Sequence, residues 1–394
     1  MCFLSDIFQF ITRAVQHAFR VVLEYVRPRH WIQWKPTSMA QLVQVEQRIL
    51  KCVKSVMDSR FVTVRSTQSR IWSVTLNRQA ENTPLVMVHG MGGGLGLWVQ
   101  NMDALAQNRP VYTFDLLGFG RSSRPTFSSD PKIAEDEFVH SIEEWRQEVK
   151  LEKFILLGHS LGAFISSSYA MQHPDRVKHL ILVDPWGFPE KPPDNQIQRR
   201  VPTWIRMIAT MLQPFNPLAG LRVAGPWGPG LVKRFRPDLQ TKFADLFADE
   251  TIFEYIYHCN AQKPSGETAF KTMQMSFGWA RNPMINRITD VAPQVSMTFI
   301  HGSRSWIDQQ IGHHVKKLRS DSYVAVQSIP GAGHHVYADK PVLFNNVVQK
   351  VCDSVDTPTR RRKDSERTRS RGISHTLSDN SQSVIDETSL NANL

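Results

Sequence analysis

The chemistry of this chain concentrates at a serine between two glycines, Gly158-His159-Ser160-Leu161-Gly162. The stretch directly follows the apolar run Phe154-Ile155-Leu156-Leu157 and precedes Ala163-Phe164-Ile165, which reads as the start of a helix. A G-x-S-x-G pattern between a strand and a helix is that of a nucleophile elbow. The serine occupies a sharp, strained turn, and only glycines let the backbone pass so close. Such a turn lifts the hydroxyl clear of the sheet and frees the next backbone N–H to bind an oxyanion. An ordinary glycine-rich turn produces the same five letters by chance, so the partners must decide.

A serine nucleophile needs a base to take its proton and an acid to orient that base. In a strand–elbow–helix site the chain order is serine, acid, histidine. Gly331-Ala332-Gly333-His334-His335 follows the last expected strand, and His334 is the expected base, with His335 as a second candidate or a cleft-lining neighbour. For the acid, Ser303-Arg304-Ser305-Trp306-Ile307-Asp308 supplies Asp308 beyond the preceding strand, with Asp184 as the alternative from an adjacent strand end. The oxyanion calls for two backbone donors. Leu161 N–H is one, and Met91 N–H in His89-Gly90-Met91-Gly92-Gly93-Gly94 is the other. This glycine-rich loop lacks the Gly-Lys-Ser/Thr ending of a phosphate loop. No metal and no cofactor is expected.

These residues must be placed by a mainly parallel sheet. The runs 61–64 and 71–74 alternate like an antiparallel pair. Short apolar strands follow at 85–88, 111–114, 154–157, 180–183, 295–300 and 323–329, separated by helical segments such as 135–151 and 163–173. That rhythm implies an α/β sheet buried on both faces. More than a hundred residues intervene between 183 and 295, far beyond one crossover helix. They are rich in aromatics and methionines: Trp186, Trp204, Met207, Met211, Phe215, Trp227, Phe235 and Trp279. A helical lid over an apolar substrate, at about 186–285, fits this interval. Additional core fits equally on composition alone.

The catalytic domain is expected over 37–355, flanked by two segments of different character. Residues 3–26 place apolar side chains at Phe3, Ile7, Phe10, Ala14, Ala18, Val22 and Val26, one stripe of an amphipathic helix. Trp31 and Trp34 then sit among basic residues and prolines, a composition suited to a lipid interface. Segment 1–36 is therefore expected to dock on lipid, or else to pack on the domain. Residues 356–394 carry Arg360-Arg361-Arg362-Lys363 and a Ser-rich end without apolar periodicity, the composition of a disordered tail. The net charge of +11 suits an anionic lipid surface, and no nucleic-acid signature accompanies it. Four scattered cysteines fit a reducing compartment, and no apolar run is long enough to cross a bilayer. A cytoplasmic protein, peripheral on droplets or internal membranes, is expected.

Several further stretches carry a resemblance. Asp115-Leu116-Leu117-Gly118-Phe119-Gly120-Arg121-Ser122-Ser123-Arg124-Pro125, Val183-Asp184-Pro185-Trp186-Gly187-Phe188, Ala224-Gly225-Pro226-Trp227-Gly228-Pro229-Gly230 and Tyr257-His258-Cys259-Asn260-Ala261-Gln262 are similar to segments of one lipid-metabolic subfamily. It comprises α/β-hydrolase-domain proteins and contains the (lyso)-N-acylphosphatidylethanolamine lipase and the coactivator of adipose triglyceride lipase. The resemblance implies an α/β-hydrolase fold and a serine esterase acting on (lyso)phospholipids. The lipase branch keeps the nucleophilic serine and the vertebrate coactivator has asparagine, so Ser160 points to the lipase. Arg304 and Gly333 resemble the coactivator instead, implying a triglyceride lipase as partner. An invertebrate-type member combining both roles fits this mosaic. His334 and Asp339 match an H-x4-D spacing read in the subfamily as an acyltransferase motif. Because His334 is already the expected base, Asp339 as an anchor for the following helix is the plainer alternative.

Overall fold

A computed structural model describes residues 37–193, 218–275 and 278–357. The segment with Trp31 and Trp34, the basic tail from 358, and Trp204, Met207, Met211 and Phe215 lie outside the described residues.

Eight strands form one sheet in the order β1-β2-β4-β3-β5-β6-β7-β8. They are β1 Met57–Val64, β2 Ser69–Leu76, β3 Leu85–Val88, β4 Val111–Phe114, β5 Phe154–His159, β6 Val177–Val183, β7 Ser296–Gly302 and β8 Val324–Ile329. The β1/β2 and β2/β4 pairs are antiparallel, and every later pair is parallel. Strands β3, β4 and β5 are buried throughout, as their unbroken apolar runs require when helices cover both faces. The first strand begins four residues before its alternation does. Met57 to Phe61 are all exposed, so no face of that stretch is selected for apolar side chains.

One face of the sheet carries the helices α3 (Pro131–Val149) and α4 (Leu161–Gln172). Asp130 caps α3, accepting from the N–H groups of Lys132 and Ile133 at 2.9 Å each, with Pro131 at the first turn. The other face carries α1 (Met39–Leu50), α2 (Val99–Leu105) and α12 (Pro341–Asp356). Ser38 caps α1, and Leu42, Val45, Ile49 and Leu50 make its buried stripe.

Between β6 and β7 the described residues contain α5 (Ala219–Ala224), α6 (Gly228–Phe235), α7 (Asp238–Lys242), α8 (Thr251–Ala261) and α9 (Gly266–Thr272). Helix α8 joins the main core: Phe253, Tyr255 and Tyr257 are all buried. At roughly 1.5–3 kcal/mol per buried large side chain, it helps to hold the domain together. The aromatic enrichment of this interval therefore goes partly into additional core. Two short elements complete the fold, α10 (Gln310–Leu318) after β7 and α11 (Val336–Asp339) after β8.

Candidate active site

Parallel register brings the site together. Val88 lies opposite Gly158, His159 opposite Val183, and Val183 opposite Ile300. The residues that follow in the first three strands, His89, Ser160 and Asp184, thus leave the sheet side by side at its C-terminal edge, with His301 next to them near the end of β7. Ligands gather at this edge in open α/β sheets.

The elbow is strained as its sequence demands. Ser160 holds φ +54°, a region that L-residues avoid. A Cβ on Gly158 would lie 2.4 Å from the Gly162 carbonyl oxygen, and one on Gly162 would lie 2.4 Å from that of Val88. Neither position admits a side chain.

His334 bridges serine and acid. Its Nε2 is 3.0 Å from Ser160 Oγ, and its Nδ1 is 2.6 Å from Asp184 Oδ2. A carboxylate accepts, so the proton sits on Nδ1 and Nε2 is free to take the serine proton. The acid that reaches the base is therefore Asp184, the alternative, and this corrects the assignment of Asp308. Asp308 is exposed, and its Oδ1 accepts the Gln310 N–H at 2.9 Å where α10 begins. The segment after β7 turns outward before it reaches Asp308.

Asp184 is fully buried at φ +44°, its N–H bonded to the Ile300 carbonyl at 2.8 Å. Burial works to raise its carboxyl, but the nearby His301 ring and the hydrogen bonds with His334 and Ser305 hold it below the usual carboxylate value. Ser305 Oγ donates to Asp184 Oδ2, and His301 Nδ1 lies 3.5 Å from Oδ1. Neither supporting residue has a motif of its own in the sequence; both become visible only once β6 and β7 are neighbours.

Two further histidines brace the backbone. His89 is buried, and its Nε2 accepts the Leu116 N–H at 2.9 Å, which fixes its proton on Nδ1. That Nδ1–H donates to the Gly90 carbonyl at 2.8 Å, and Gly93 N–H reaches the same oxygen at 3.2 Å. In a planar trans peptide the Met91 N–H points opposite to that carbonyl, so His89 orients it. Gly90 packs on the serine: a Cβ there would lie 3.0 Å from Ser160 Cβ. Leu161 opens α4, so its N–H has no carbonyl one turn back within the helix. Asn260 and Tyr255 of α8 steady the same loop through the Gly92 carbonyl at 2.7 Å and the Gly96 N–H at 2.9 Å. His159 donates from Nε2 to the His334 carbonyl at 2.9 Å, and burial foremost, with His334 beside it, pushes its pKa down to about 3. It stays neutral. His335, the second candidate base, packs against His159 and Tyr337.

Asp339 does not meet the His334 ring; its carboxylate accepts the Gly333 N–H at 2.8 Å. Arg304 is exposed, and its N–H donates to the Ala332 carbonyl at 2.8 Å, so Arg304 and Gly333 occupy touching loops. Among the described residues no cluster of three potential metal ligands occurs, and no helix is long and apolar enough to cross a membrane.

A sheet of this topology with a Ser160–His334–Asp184 line at its edge defines an α/β hydrolase. The alpha/beta hydrolase fold family matches residues 83–341, and the chain belongs to it. It is 58% identical over 336 residues to the (lyso)-N-acylphosphatidylethanolamine lipase of Bos taurus, covering 84% of this chain and 98% of that one. It is 52% identical over 321 residues to the Homo sapiens 1-acylglycerol-3-phosphate O-acyltransferase ABHD5, covering 81% and 92%. The naproxen esterase of Bacillus subtilis shares the fold, with a TM-score of 0.54 and 15% identity over 79% of this chain and 97% of that one.

Proposed function

We propose that this protein is a serine carboxylic-ester hydrolase acting on (lyso)-N-acylphosphatidylethanolamine or related (lyso)phospholipids at a membrane or lipid-droplet surface. The observation that carries this proposal is the continuous hydrogen-bonded line from Ser160 Oγ through His334 to Asp184. Ser160 Oγ attacks the acyl carbonyl while His334 Nε2 takes its proton. Asp184 stabilises the imidazolium, and the Met91 and Leu161 N–H groups hold the oxyanion. His334 then protonates the departing glycerol oxygen, and water releases the acyl group from Ser160 by the same steps. A lysophospholipid hydroxyl in place of that water gives acyl transfer. The names of the lipase and acyltransferase relatives support a lipid substrate. Trp306 supports it too: 72% exposed, with its ring centroid 5.1 Å from that of His334, it puts an indole at the mouth of the site.

Purified Ser160→Ala should lose hydrolysis of N-acyl-lysophosphatidylethanolamine by about 10³-fold or more, with unchanged melting temperature. Full turnover by this variant would remove the mechanism.

Coactivation of a triglyceride lipase is the second reading, favoured by Arg304 being exposed on a loop that touches the Gly333 turn. Stimulation of such a lipase on emulsified triglyceride should then survive Ser160→Ala and fall severalfold with Arg304→Ala. No stimulation by the wild type dismisses it.

A further inference from the structure

The mechanism above leaves Asp339 without a part, although it stands five residues after His334. Its surroundings are specific. Oδ2 accepts the Gly333 N–H at 2.8 Å, and Oδ1 lies 3.1 Å from Lys242 Nζ. Both side chains are largely shielded, 13% exposed for Lys242 and 14% for Asp339. Lys242 ends α7 and also pairs with Asp238 Oδ2 at 2.8 Å, while its carbonyl accepts Gln100 Nε2–H at 2.6 Å. On the far side of the base, His159 holds the His334 carbonyl at 2.9 Å. The peptide that enters Gly333 and the peptide that leaves His334 are thus each gripped by a side chain.

The residue before the base is a glycine, and a glycine leaves both of its backbone dihedrals soft. A base must stay within about 0.5 Å and 10–20° of its productive geometry. Gly333 therefore needs an outside restraint, and Asp339 is the side chain that reaches its N–H. We propose that Asp339 is a positioning residue that locks the Gly333–His334 turn, and that Lys242 ties this lock to the helices inserted between β6 and β7. The proposal rests on Ser160 and His334 acting as described above. It gives the H-x4-D spacing a structural meaning. With one oxygen on Gly333 N–H and the other on Lys242, the carboxylate is not placed to take a proton from an acyl acceptor.

Full-length wild type, Asp339→Ala, Asp339→Asn and Lys242→Gln would be compared in three assays. These are p-nitrophenyl butyrate hydrolysis, the rate of Ser160 labelling by a fluorophosphonate, and acyl transfer to oleoyl lysophosphatidylethanolamine. Asp339→Ala should lower kcat and the labelling rate about 10- to 100-fold, with KM changed less than about twofold. Asp339→Asn keeps an oxygen for Gly333 N–H and should stay within about threefold of wild type. Lys242→Gln should cost about threefold. Any transfer should fall in step with hydrolysis. Wild-type kcat in Asp339→Ala, or transfer lost while hydrolysis remains, would overturn the proposal. Should Asp339→Ala not fold, Asp339→Asn decides alone: a loss beyond about 100-fold would mean that the negative charge, not the acceptor oxygen, is what matters. A wild type that neither labels nor hydrolyses would instead refute the role of Ser160, before any variant is compared.

Discussion

The turns leaving β6 and β7 each present an aspartate near the C-terminal edge of the sheet, and only one reaches the base. Asp184 directly follows Val183, is fully buried, and receives His334 Nδ1 at 2.6 Å. Asp308 comes six residues after Gly302 and spends its carboxylate on the first N–H of α10, that of Gln310. The difference lies in the backbone path. Asp184 is held by its own N–H bond to Ile300 and by φ +44°, so its side chain cannot leave the sheet edge. The β7 turn is not idle. It sends Ser305 back to Asp184, so one turn supplies the charge and the other a donor that keeps it in place, with His301 of β7 3.5 Å from the second carboxylate oxygen.

Exchanging the two carboxylates for amides tests this division most directly. Asp184→Asn removes the charge and can present the wrong group to His334 Nδ1, so kcat should fall about 10⁴-fold. Asp308→Asn should leave kcat within about threefold and cost about 0.5–1 kcal/mol in thermal or urea unfolding, from a weakened turn at α10. Comparable losses in kcat from both variants would mean that the β7 turn swings inward when substrate binds. Loss confined to Asp308→Asn would invert the comparison.

The same contrast explains what could be read from the letters. Ser160 and His334 announce themselves through neighbours in sequence, a glycine on each side of the elbow and a glycine before the base, because their requirements are local. The choice of acid is not local. Asp184 and Asp308 both follow apolar strands, and what separates them is whether the chain turns inward or outward afterwards. The central strands were legible as apolar runs, since β3, β4 and β5 are buried throughout; the exchange of β3 and β4 in the sheet order has no such local signal. The first residues of β1 were not legible, because Met57 to Phe61 face solvent on both sides. Composition also could not divide the interval after β6 between lid and core. Helix α8 shows why: Tyr255 fills the core and at the same time accepts the Gly96 N–H beside the glycine-rich loop that carries Met91.

A smaller effect sharpens the comparison from the opposite side of protonation. Glu46 of α1 is as buried as Asp184, yet it goes the other way. Burial, with Asp115 nearby, pushes its carboxyl up to about 8, although Arg121 at 2.8 Å and Trp72 Nε1–H at 2.7 Å oppose the rise. Asp184, ringed by donors, is held down. The two therefore act on stability with opposite sign. Folding takes up a proton at Glu46, so its favourable contribution is complete below the usual carboxylate range. That contribution is lost as pH rises toward about 8. The contribution of Asp184 is present above that range and lost on acidification. Glu46→Gln keeps an acceptor for Trp72 but cannot ionise. The difference in melting temperature between wild type and Glu46→Gln should therefore shift against the wild type by a few degrees between about pH 5 and pH 8. A difference that stays flat across that window would show that Glu46 is ionised throughout, paired with Arg121. Burial would then not distinguish the two carboxylates, and the donors around each would set its charge alone.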